Sequence, residues 1–315
     1  MKFLYLLEKI RNPVFDFFFS LITHIGEETV FLVIALLVFW CIDKKKGYYV
    51  LITGLAGTVI NQAMKLTFKI PRPWVKDPNF AIVESARAEA TGYSFPSGHT
   101  QNVAGTFGTL AMTAKNKWLR IGFIVTIVLV AFSRMYLGVH TPLDVGVSLL
   151  VAAALVFLLY PIFSSDEKFH RAMPYVVGAS VLLSLGLLIY AFLIPEESID
   201  AVNHASGMKN ASTLLGCTVG LVPVYLFDRF YLNFGTKAKW YAQIVKFVLG
   251  LAGVLIIKVA LSTPLTLLFG NEYVARAVRY FLIVIFAGVV WPMTFKFFGR
   301  MRISALDKFF AKKQI

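Results

Sequence analysis

Three short polar segments interrupt an otherwise apolar sequence, and their residue types suit the handling of phosphate. They are "KLTFKIPRPW" (65–74), "FPSGH" (95–99) and "SRMYLGVHTPLD" (133–144). Arg72 offers a planar fork of donors and Lys65 a point charge. A helix that starts near Gly98 adds oriented backbone N–H groups, and glycine lets the backbone approach a phosphate closely. The first two segments therefore predict an anion cradle, with the imidazole of His99 beside it.

The third segment adds a candidate nucleophile. Asp144 lies one helical turn after His140, so its carboxylate can accept the proton on one ring nitrogen and leave the other free to attack phosphorus. Each segment also has a plain structural interpretation: snorkelling cations for Lys65 and Arg72, a helix cap for Ser97, and a hydrogen-bonded pair for His140 and Asp144. Their occurrence together favours phosphoryl transfer.

The rest of the sequence predicts membrane-spanning helices that position these segments. Of its 315 residues, 58% are hydrophobic and 15% charged, whereas a soluble domain carries about a quarter charged residues. The long apolar runs are typical of an all-α polytopic membrane protein. Nine runs are long enough, or nearly so, to cross a bilayer: 28–42, 47–68, 97–114, 118–137, 141–163, 174–194, 213–232, 240–262 and 278–298. A tenth run, 13–26, is short and contains Asp16; of a tilted span and an interfacial helix, we favour the span.

The basic residues predict the orientation of the chain. With a cytoplasmic "DKKKG" turn and 13–26 counted as a span, nine of the 31 Lys and Arg residues lie on the opposite side: Lys65, Lys69, Arg72, Lys76, Arg87, Arg134, Lys209, Arg276 and Arg279. Lys246 and Lys258 fall within spans, which leaves 20 on the cytoplasmic side. This bias follows the positive-inside rule. It accounts for most of the net charge of +14 without nucleic acid, and it predicts contact with anionic lipid headgroups.

The three segments also carry a family resemblance. Lys65 with Arg72-Pro73, then Pro96-Ser97-Gly98-His99, then Ser133-Arg134 with His140 and Asp144 resemble the three signatures of the type 2 phosphatidic acid phosphatase superfamily. That superfamily includes membrane lipid phosphatases, glucose-6-phosphatase and the vanadium haloperoxidases. The resemblance covers about residues 12–163. It implies a six-helix phosphatase core, assigned to 1–165, followed by about four additional transmembrane helices and a basic cytoplasmic tail in 166–315.

The resemblance also implies roles for these residues. His140 is expected to form a phosphohistidine, with Asp144 orienting it and His99 protonating the leaving oxygen. The expected phosphate-binding residues are Lys65, Arg72, Ser97, Gly98 and Arg134. Relatives of this kind need no metal, so we expect no cofactor.

The expected function is hydrolysis of a lipid phosphate or diphosphate at the extracytoplasmic face of a membrane, for which we expect a bacterial plasma membrane. Phosphatidic acid, isoprenoid diphosphates and sphingoid phosphates all fit. A phosphotransferase using the same intermediate remains an alternative, and a headgroup transporter is less favoured because the ionisable residues cluster at one interface rather than at mid-membrane. The extension is expected to shape lateral access for a lipid tail or to mediate self-association into a homo-oligomer.

Several further polar residues have structural interpretations. Asn61, Gln62 and Asn102 are expected to form hydrogen bonds between helices, although Asn102 is close enough in sequence to contact His99. Three residues between the first two segments are weaker candidates for a substrate-facing rim: Glu84, Arg87 and Glu89. Two cations of the extension, Lys258 and Arg276, are weaker candidates for reaching the headgroup region.

Overall fold

The computed structural model describes residues 1–302, which contain helices and connecting segments but no strand. The helices are α1 (Lys2–Lys9), α2 (Pro13–Thr23), α3 (Glu28–Leu37), α4 (Lys44–Phe68), α5 (Pro73–Lys76), α6 (Gly98–Thr113), α7 (Lys117–Tyr136), α8 (Pro142–Phe163), α9 (Asp166–Leu193), α10 (Ala201–Phe227), α11 (Trp240–Ala260), α12 (Ser262–Phe269), α13 (Glu272–Ile285) and α14 (Phe295–Arg300). Short π-helical turns continue three of them: Val38–Ile42 after α3, Asp228–Leu232 after α10 and Phe286–Val290 after α13.

Most of the long helices have the length and composition of membrane spans. Within the described residues, six helical segments are both long enough and apolar enough to cross a membrane: Lys117–Tyr136, Pro142–Phe163, Asp166–Leu193, Ala201–Leu232, Trp240–Phe269 and Glu272–Arg300. The last four belong to the C-terminal half of the chain. The prediction of an all-α polytopic membrane protein with four additional C-terminal spans is therefore confirmed.

Helices α4 and α6 lie inside the bundle and differ from the other long helices. Helix α6 has only 16 residues and α4, with 25, is not apolar enough to pass as a span. Both are rich in small and polar residues that are buried by neighbouring helices, including Thr53, Asn61 and Gln101. Because the apolar helices surround them, α4 and α6 can carry polar side chains toward one end of the bundle.

The bundle has two ends. The lysine face holds Lys44–Lys46, and the motif face holds the three polar segments 65–74, 95–99 and 133–144. Helix α4 connects the two faces. It begins at the Asp43 cap on the lysine face and ends at Lys69 on the motif face, where a left-handed residue (φ 49°) stops the helix.

The prediction of a separate span over 13–26 is wrong. Helix α2 has 11 residues, or about 16 Å of helix against about 30 Å of hydrocarbon. Both of its ends lie on the motif face: the backbone N–H of Asn12 donates to Tyr136 Oη (3.4 Å), and Gly26 packs against His99. The buried partner of Asp16 is the Tyr136 hydroxyl, which donates to it at 2.7 Å. The segments 13–26 and 28–42 form a pair bent by 53°.

This correction also changes the expected distribution of charge. The N-terminal helix lies on the motif face, because Tyr5 donates to Asp77 (2.8 Å) and Arg11 Nη1 to the carbonyl of Ala81 (2.6 Å). Moving Lys2, Lys9 and Arg11 to that side changes the counts from 20 and nine to 17 and 12. Three of the 17 lie outside the described residues: Lys308, Lys312 and Lys313.

The C-terminal helices pack directly on the core helices. Helix α10 contacts α9 and α13 and also reaches α4. At that crossing a side chain on Gly207 has no room, since an added Cβ would lie 2.7 Å from Cδ2 of Leu66. Val59 and Leu66 of α4 share an apolar cluster with Met208 of α10. This contact brings the first turns of α10 to the motif face.

Candidate active site

A cavity of about 330 Å³ opens at the motif face, where α4, α6, α7 and α10 converge with the loops that follow α4 and α7. Six of the eight residues predicted to form the site line it: Lys65, Arg72, Gly98, His99, Arg134 and His140. The other two, Ser97 and Asp144, are buried behind this lining. The three polar segments, separated by up to 79 positions in the chain, thus meet at one place.

His140 lies in the short connection between α7 and α8 and is buried. Its Nε2 is 2.8 Å from Nη1 of Arg72. An arginine nitrogen can only donate, so Nε2 is the acceptor and the ring is neutral with its proton on Nδ1. Burial lowers the pKa of His140 well below the ordinary imidazole value, and the charges of Arg72, Arg134 and Lys65 lower it further. A neutral imidazole with a lone pair on Nε2 is the form that can attack phosphorus.

Asp144 faces the other side of the imidazole, without a hydrogen bond to it in the described chain. Its Oδ2 lies 3.4 Å from Nδ1 of His140. The same oxygen accepts hydrogen bonds from the hydroxyl of Ser94 (2.6 Å) and the backbone N–H of Thr141 (2.7 Å). The Thr141 contact is part of a capping box that starts α8. Two short hydrogen bonds therefore fix the carboxylate that faces the ring.

Arg72 connects the loop before α6 to the connection that holds His140. Its guanidinium donates to three backbone carbonyls, those of Thr91 (2.7 Å), Gly92 (3.0 Å) and Val139 (3.0 Å). Burial lowers the pKa of Arg72 to about 10, so the group stays charged at neutral pH. Arg72 thus fixes a positive charge beside the attacking nitrogen.

Arg134 and Lys65 supply two further buried cations. Arg134 is 0% exposed, and its Nη1 donates to the hydroxyl of Thr23 at 2.6 Å. Its Nε and Nη2 have no partner within the described chain. Lys65 donates to the carbonyl of Tyr93. Buried donors without partners are costly, and an anion in the cavity would satisfy those of Arg134.

The start of α6 forms the floor of the cavity. Gly98 and His99 are its first residues, and the first N–H groups of a helix have no acceptor within the helix. The Nε2 of His99 is buried without a partner in the described chain. Gly26, at the end of the α2 segment, packs against His99; an added Cβ there would lie 2.9 Å from Cβ of His99.

The Ser97 side chain does not occupy its predicted place. Its hydroxyl is buried and caps α6, accepting from the N–H (3.4 Å) and hydroxyl (2.9 Å) of Thr100. Its own backbone N–H donates to the carbonyl of Asp144 at 3.2 Å. Ser97 therefore links α6 to α8 and lies outside the cavity lining, because the capping geometry turns its hydroxyl toward the helix.

The structure adds residues that the sequence did not indicate. Ser94 and Thr141 fix Asp144, and Thr23 fixes Arg134. The cavity is also lined by Glu27 and Glu28, and by three residues of α10: Asn203, Ser206 and Asn210. Only the polar character of "DAVNHASGMKN" at the start of an otherwise apolar run was visible in the sequence, and that pattern does not indicate where α10 packs.

Some of the weaker candidates line the cavity, and others lie outside its lining. Gln62, Glu89 and Asn102 line the cavity, and Asn102 Nδ2 donates to the carbonyl of Gly26 at 3.4 Å. Glu84 and Arg87 form an exposed ion pair with each other (2.7 Å) and do not line it. Lys258 and Arg276 of the extension do not line it either.

The chain belongs to the PAP2 superfamily. The model of that superfamily matches residues 45–168, which hold all three polar segments. A second model, described as PAP2 superfamily phosphatase, transmembrane extension, matches residues 208–302. The family resemblance expected from the three segments is thus confirmed, and the protein is an integral membrane member of this phosphatase superfamily.

Individual relatives are lipid phosphatases by name. The chain is 33% identical to undecaprenyl-diphosphatase BcrC of Bacillus subtilis over 48% of its own length and 76% of the relative. It is 26% identical to human sphingosine-1-phosphate phosphatase 2 over 70% of its length, spanning 54% of that protein. A crystal structure of Aquifex aeolicus LpxE matches with a TM-score of 0.44 and 23% identity, covering 50% of this chain and 92% of that one.

Proposed function

We propose that this protein hydrolyses a lipid phosphate or diphosphate through a phosphohistidine intermediate, without a metal ion, at the extracytoplasmic face of the membrane. The observation that carries the proposal is the convergence of His140, His99 and three buried cations on one cavity. Phosphoryl transfer needs a nucleophile, an acid for the leaving oxygen and positive charge on the phosphoryl oxygens. The cavity has one residue or group for each need.

In the first step, Nε2 of His140 attacks the terminal phosphorus, and the bond from that phosphorus to the leaving lipid oxygen breaks. That oxygen belongs to the lipid alcohol in a monophosphate and to the lipid monophosphate in a diphosphate. Lys65, Arg72 and Arg134 hold the non-bridging oxygens, and the N–H groups of Gly98 and His99 add further donors. The phosphate charge offsets the three cations around His99, which favours its protonated form, and His99 gives that proton to the departing lipid oxygen. Asp144 stabilises the positive charge that develops on the His140 ring.

In the second step, water attacks the phosphohistidine. His99, now neutral, takes a proton from that water while the bond between phosphorus and Nε2 breaks. The products are inorganic phosphate and the free imidazole of His140. The same residue acts as acid and then as base, as microscopic reversibility favours.

The relatives define the range of substrates to test. An undecaprenyl-diphosphatase and a sphingosine-1-phosphate phosphatase both act on a phosphate group attached to a long apolar chain. This protein is an integral membrane protein, and its cavity with three buried cations lies at one end of its helices. A lipid phosphate or diphosphate is therefore the substrate class that we propose.

The test is release of inorganic phosphate by purified protein from a panel of phosphatidic acid, isoprenoid diphosphate and sphingoid phosphate. Vanadate should inhibit, because it adopts the five-coordinate geometry of the transition state, and EDTA should not. Release from a single lipid with no acceptor present distinguishes a phosphatase from a phosphotransferase. Loss of turnover in EDTA that magnesium restores would contradict the mechanism.

The extracytoplasmic position of the cavity is supported by the distribution of basic residues: among the described residues, 14 are assigned to the side of the lysine face and 12 to the side of the motif face. Single cysteines at positions 79 and 45, labelled in intact cells in a cysteine-free background, test it. Position 79, which is exposed on the motif face, should be labelled and position 45 protected. A third cysteine at position 9, also exposed, should be labelled as well, because α1 lies on the motif face; protection there with labelling at 79 would contradict the placement of α1.

A further inference from the structure

The cavity has a second wall that comes from the C-terminal half of the chain. Asn203, Ser206 and Asn210 lie at i, i+3 and i+7 on α10, so they share one face of that helix. All three line the cavity, together with Gln62 of α4. The close crossing at Gly207 and Leu66 holds this face in place. The phosphate-binding groups come from the core, whereas this wall comes from a helix outside the three polar segments.

The side chains of this wall are free to bind a ligand. Within the described residues, no hydrogen bond to protein involves the side chain of Asn203, Ser206 or Asn210. Other polar side chains of α10 are engaged: Thr213 donates to the carbonyl of Lys209 (2.9 Å), and Thr218 pairs with Ser184 (2.5 Å). The three polar side chains of this wall thus line the same cavity as Arg134, whose buried Nε and Nη2 also lack partners in the described chain.

The charge in the cavity is divided. Lys65, Arg72 and Arg134 provide positive charge where His140 attacks, and Glu28 and Glu89 also line the cavity. Neither carboxylate has a cationic side chain within 4 Å in the described part of the chain. An anionic group fits beside the three cations, and a cationic or hydrogen-bonding group fits beside Glu28.

We propose that α10 and Glu28 recognise the backbone of the substrate next to its phosphate, and that this backbone is an amino alcohol carrying a free ammonium and a hydroxyl group. The inference rests on the proposed function and narrows its substrate class. Glu28 pairs with the ammonium, and the amides and hydroxyl of α10 bond the substrate hydroxyl. A polyisoprenyl chain offers only carbon and hydrogen there, and a second phosphate would place negative charge toward Glu28.

The test compares three lipids in identical detergent micelles: a long-chain 2-amino-1,3-diol 1-phosphate, its N-acylated form, and an isoprenoid monophosphate. The wild type should release phosphate from the amino alcohol with the highest kcat/KM, by about tenfold or more over the others, since unmade hydrogen bonds to polar side chains carry that cost. Ratios between substrates in one preparation do not depend on the fraction of folded protein.

Single substitutions test which cavity-lining residues recognise the substrate backbone. Asn210→Ala should lower the preference for the amino alcohol over the isoprenoid about tenfold, and Glu28→Gln should lower its preference over the N-acylated form. Thr213→Ala, on the same helix but outside the cavity, should leave both ratios unchanged. Equal kcat/KM for the three lipids in the wild type, or variants that lower all three by one factor, would overturn this inference alone. Hydrolysis of none of them, with phosphate still released from phosphatidic acid or an isoprenoid diphosphate, would also overturn this inference alone, whereas release from no lipid of either panel would overturn the proposed function as well.

Discussion

Arg134 and Lys246 are both cations with 0% exposure. They lie at opposite ends of the molecule and differ in how many of their donors have hydrogen-bond partners. Lys246, near the lysine face, donates to the carbonyls of Trp40 (2.8 Å) and Thr236 (3.1 Å), and its ammonium lies 4.4 Å from the ring centroid of Phe295. Arg134, near the motif face, has one partner, Thr23, and two nitrogens without any in the described chain.

This difference distinguishes a buried cation that stabilises the fold from one that is available to a ligand. Burying a cation is unfavourable unless its donors are satisfied. Around Lys246 the fold itself supplies the acceptors, so the cation contributes to stability. Around Arg134 the fold leaves donors unused, and nearby His99 Nε2 is also without a partner. Unsatisfied groups that converge on one cavity are those that a bound phosphate can satisfy.

The largest expected effect tests whether the motif face carries out the chemistry. His140→Ala should form no phosphoenzyme and lose on the order of 10⁴-fold or more in turnover, since it lacks the attacking nitrogen. His99→Ala should lose about 10²–10⁴-fold on a lipid phosphate, whose alcohol needs a proton, and much less in the phosphorylation step with p-nitrophenyl phosphate. Rapid-quench trapping of acid-labile phosphoprotein measures both.

Two outcomes would contradict these roles. Labelled phosphoprotein in His140→Ala would place the nucleophile elsewhere. Equal losses for His99→Ala on both substrates would mean that His99 does more than protonate the leaving oxygen. Asp144→Asn, which keeps the nucleophile but changes its orientation, should lie between the two histidine variants.

Arg134→Met tests the comparison directly. It removes a buried charge but keeps most of the side-chain volume. We expect kcat/KM to fall about 10²–10³-fold, the usual loss for one group that stabilises the transition state. The unfolding temperature in detergent should stay the same or rise, because replacing a buried charge that the fold does not satisfy is often neutral or stabilising. A large loss of stability with retained kcat/KM would show that Arg134 is structural.

The sequence predicted the two histidines and the three cations because each belongs to a short segment with its own spacing. It also predicted the four C-terminal spans from their long apolar runs. The assignment of 13–26 was wrong because length and apolarity alone do not distinguish a span from a helix at the interface. The shortness of the run and Asp16 were the visible warnings, and the partner of Asp16, Tyr136, is 120 positions away.

Other parts of the site depend on tertiary packing that no local pattern encodes. The hydroxyl of Ser97 fits both a phosphate ligand and a helix cap, and only the geometry of α6 decides for the cap. Asn203 and Asn210 line the cavity because Gly207 allows α10 to approach Leu66 closely. The division into a core of 1–165 and an extension of 166–315 stays a prediction.

Ser94→Ala is expected to have a smaller effect on activity. It removes the 2.6 Å hydrogen bond to Asp144 Oδ2 but leaves the one from the Thr141 N–H. The carboxylate then orients His140 less well, and kcat should fall about tenfold with little change in KM. Ser94→Thr, which keeps the hydroxyl, should recover part of the loss. Ser20→Ala is a suitable control, because its exposed hydroxyl contacts Ser85 far from Asp144. A change confined to KM would argue against a positioning role.

The smallest effect on activity is expected for Lys246→Met, the counterpart of Arg134→Met. The substitution leaves the Trp40 carbonyl without its Lys246 donor, while the Thr236 carbonyl keeps the side-chain amide of Gln243 at 2.8 Å. One unsatisfied buried acceptor costs about 1–3 kcal/mol of the free energy of unfolding, so the unfolding temperature should fall. Turnover per folded molecule should change little, because the site lies at the other end of the bundle. Lys258→Met, on the same helix but exposed, should leave the unfolding temperature near that of the wild type. The two methionine variants should therefore show opposite patterns, Arg134→Met losing activity and Lys246→Met losing stability. If both lost activity and stability together, satisfied and unsatisfied buried cations would not differ in function, and the distinction between the two ends would fail.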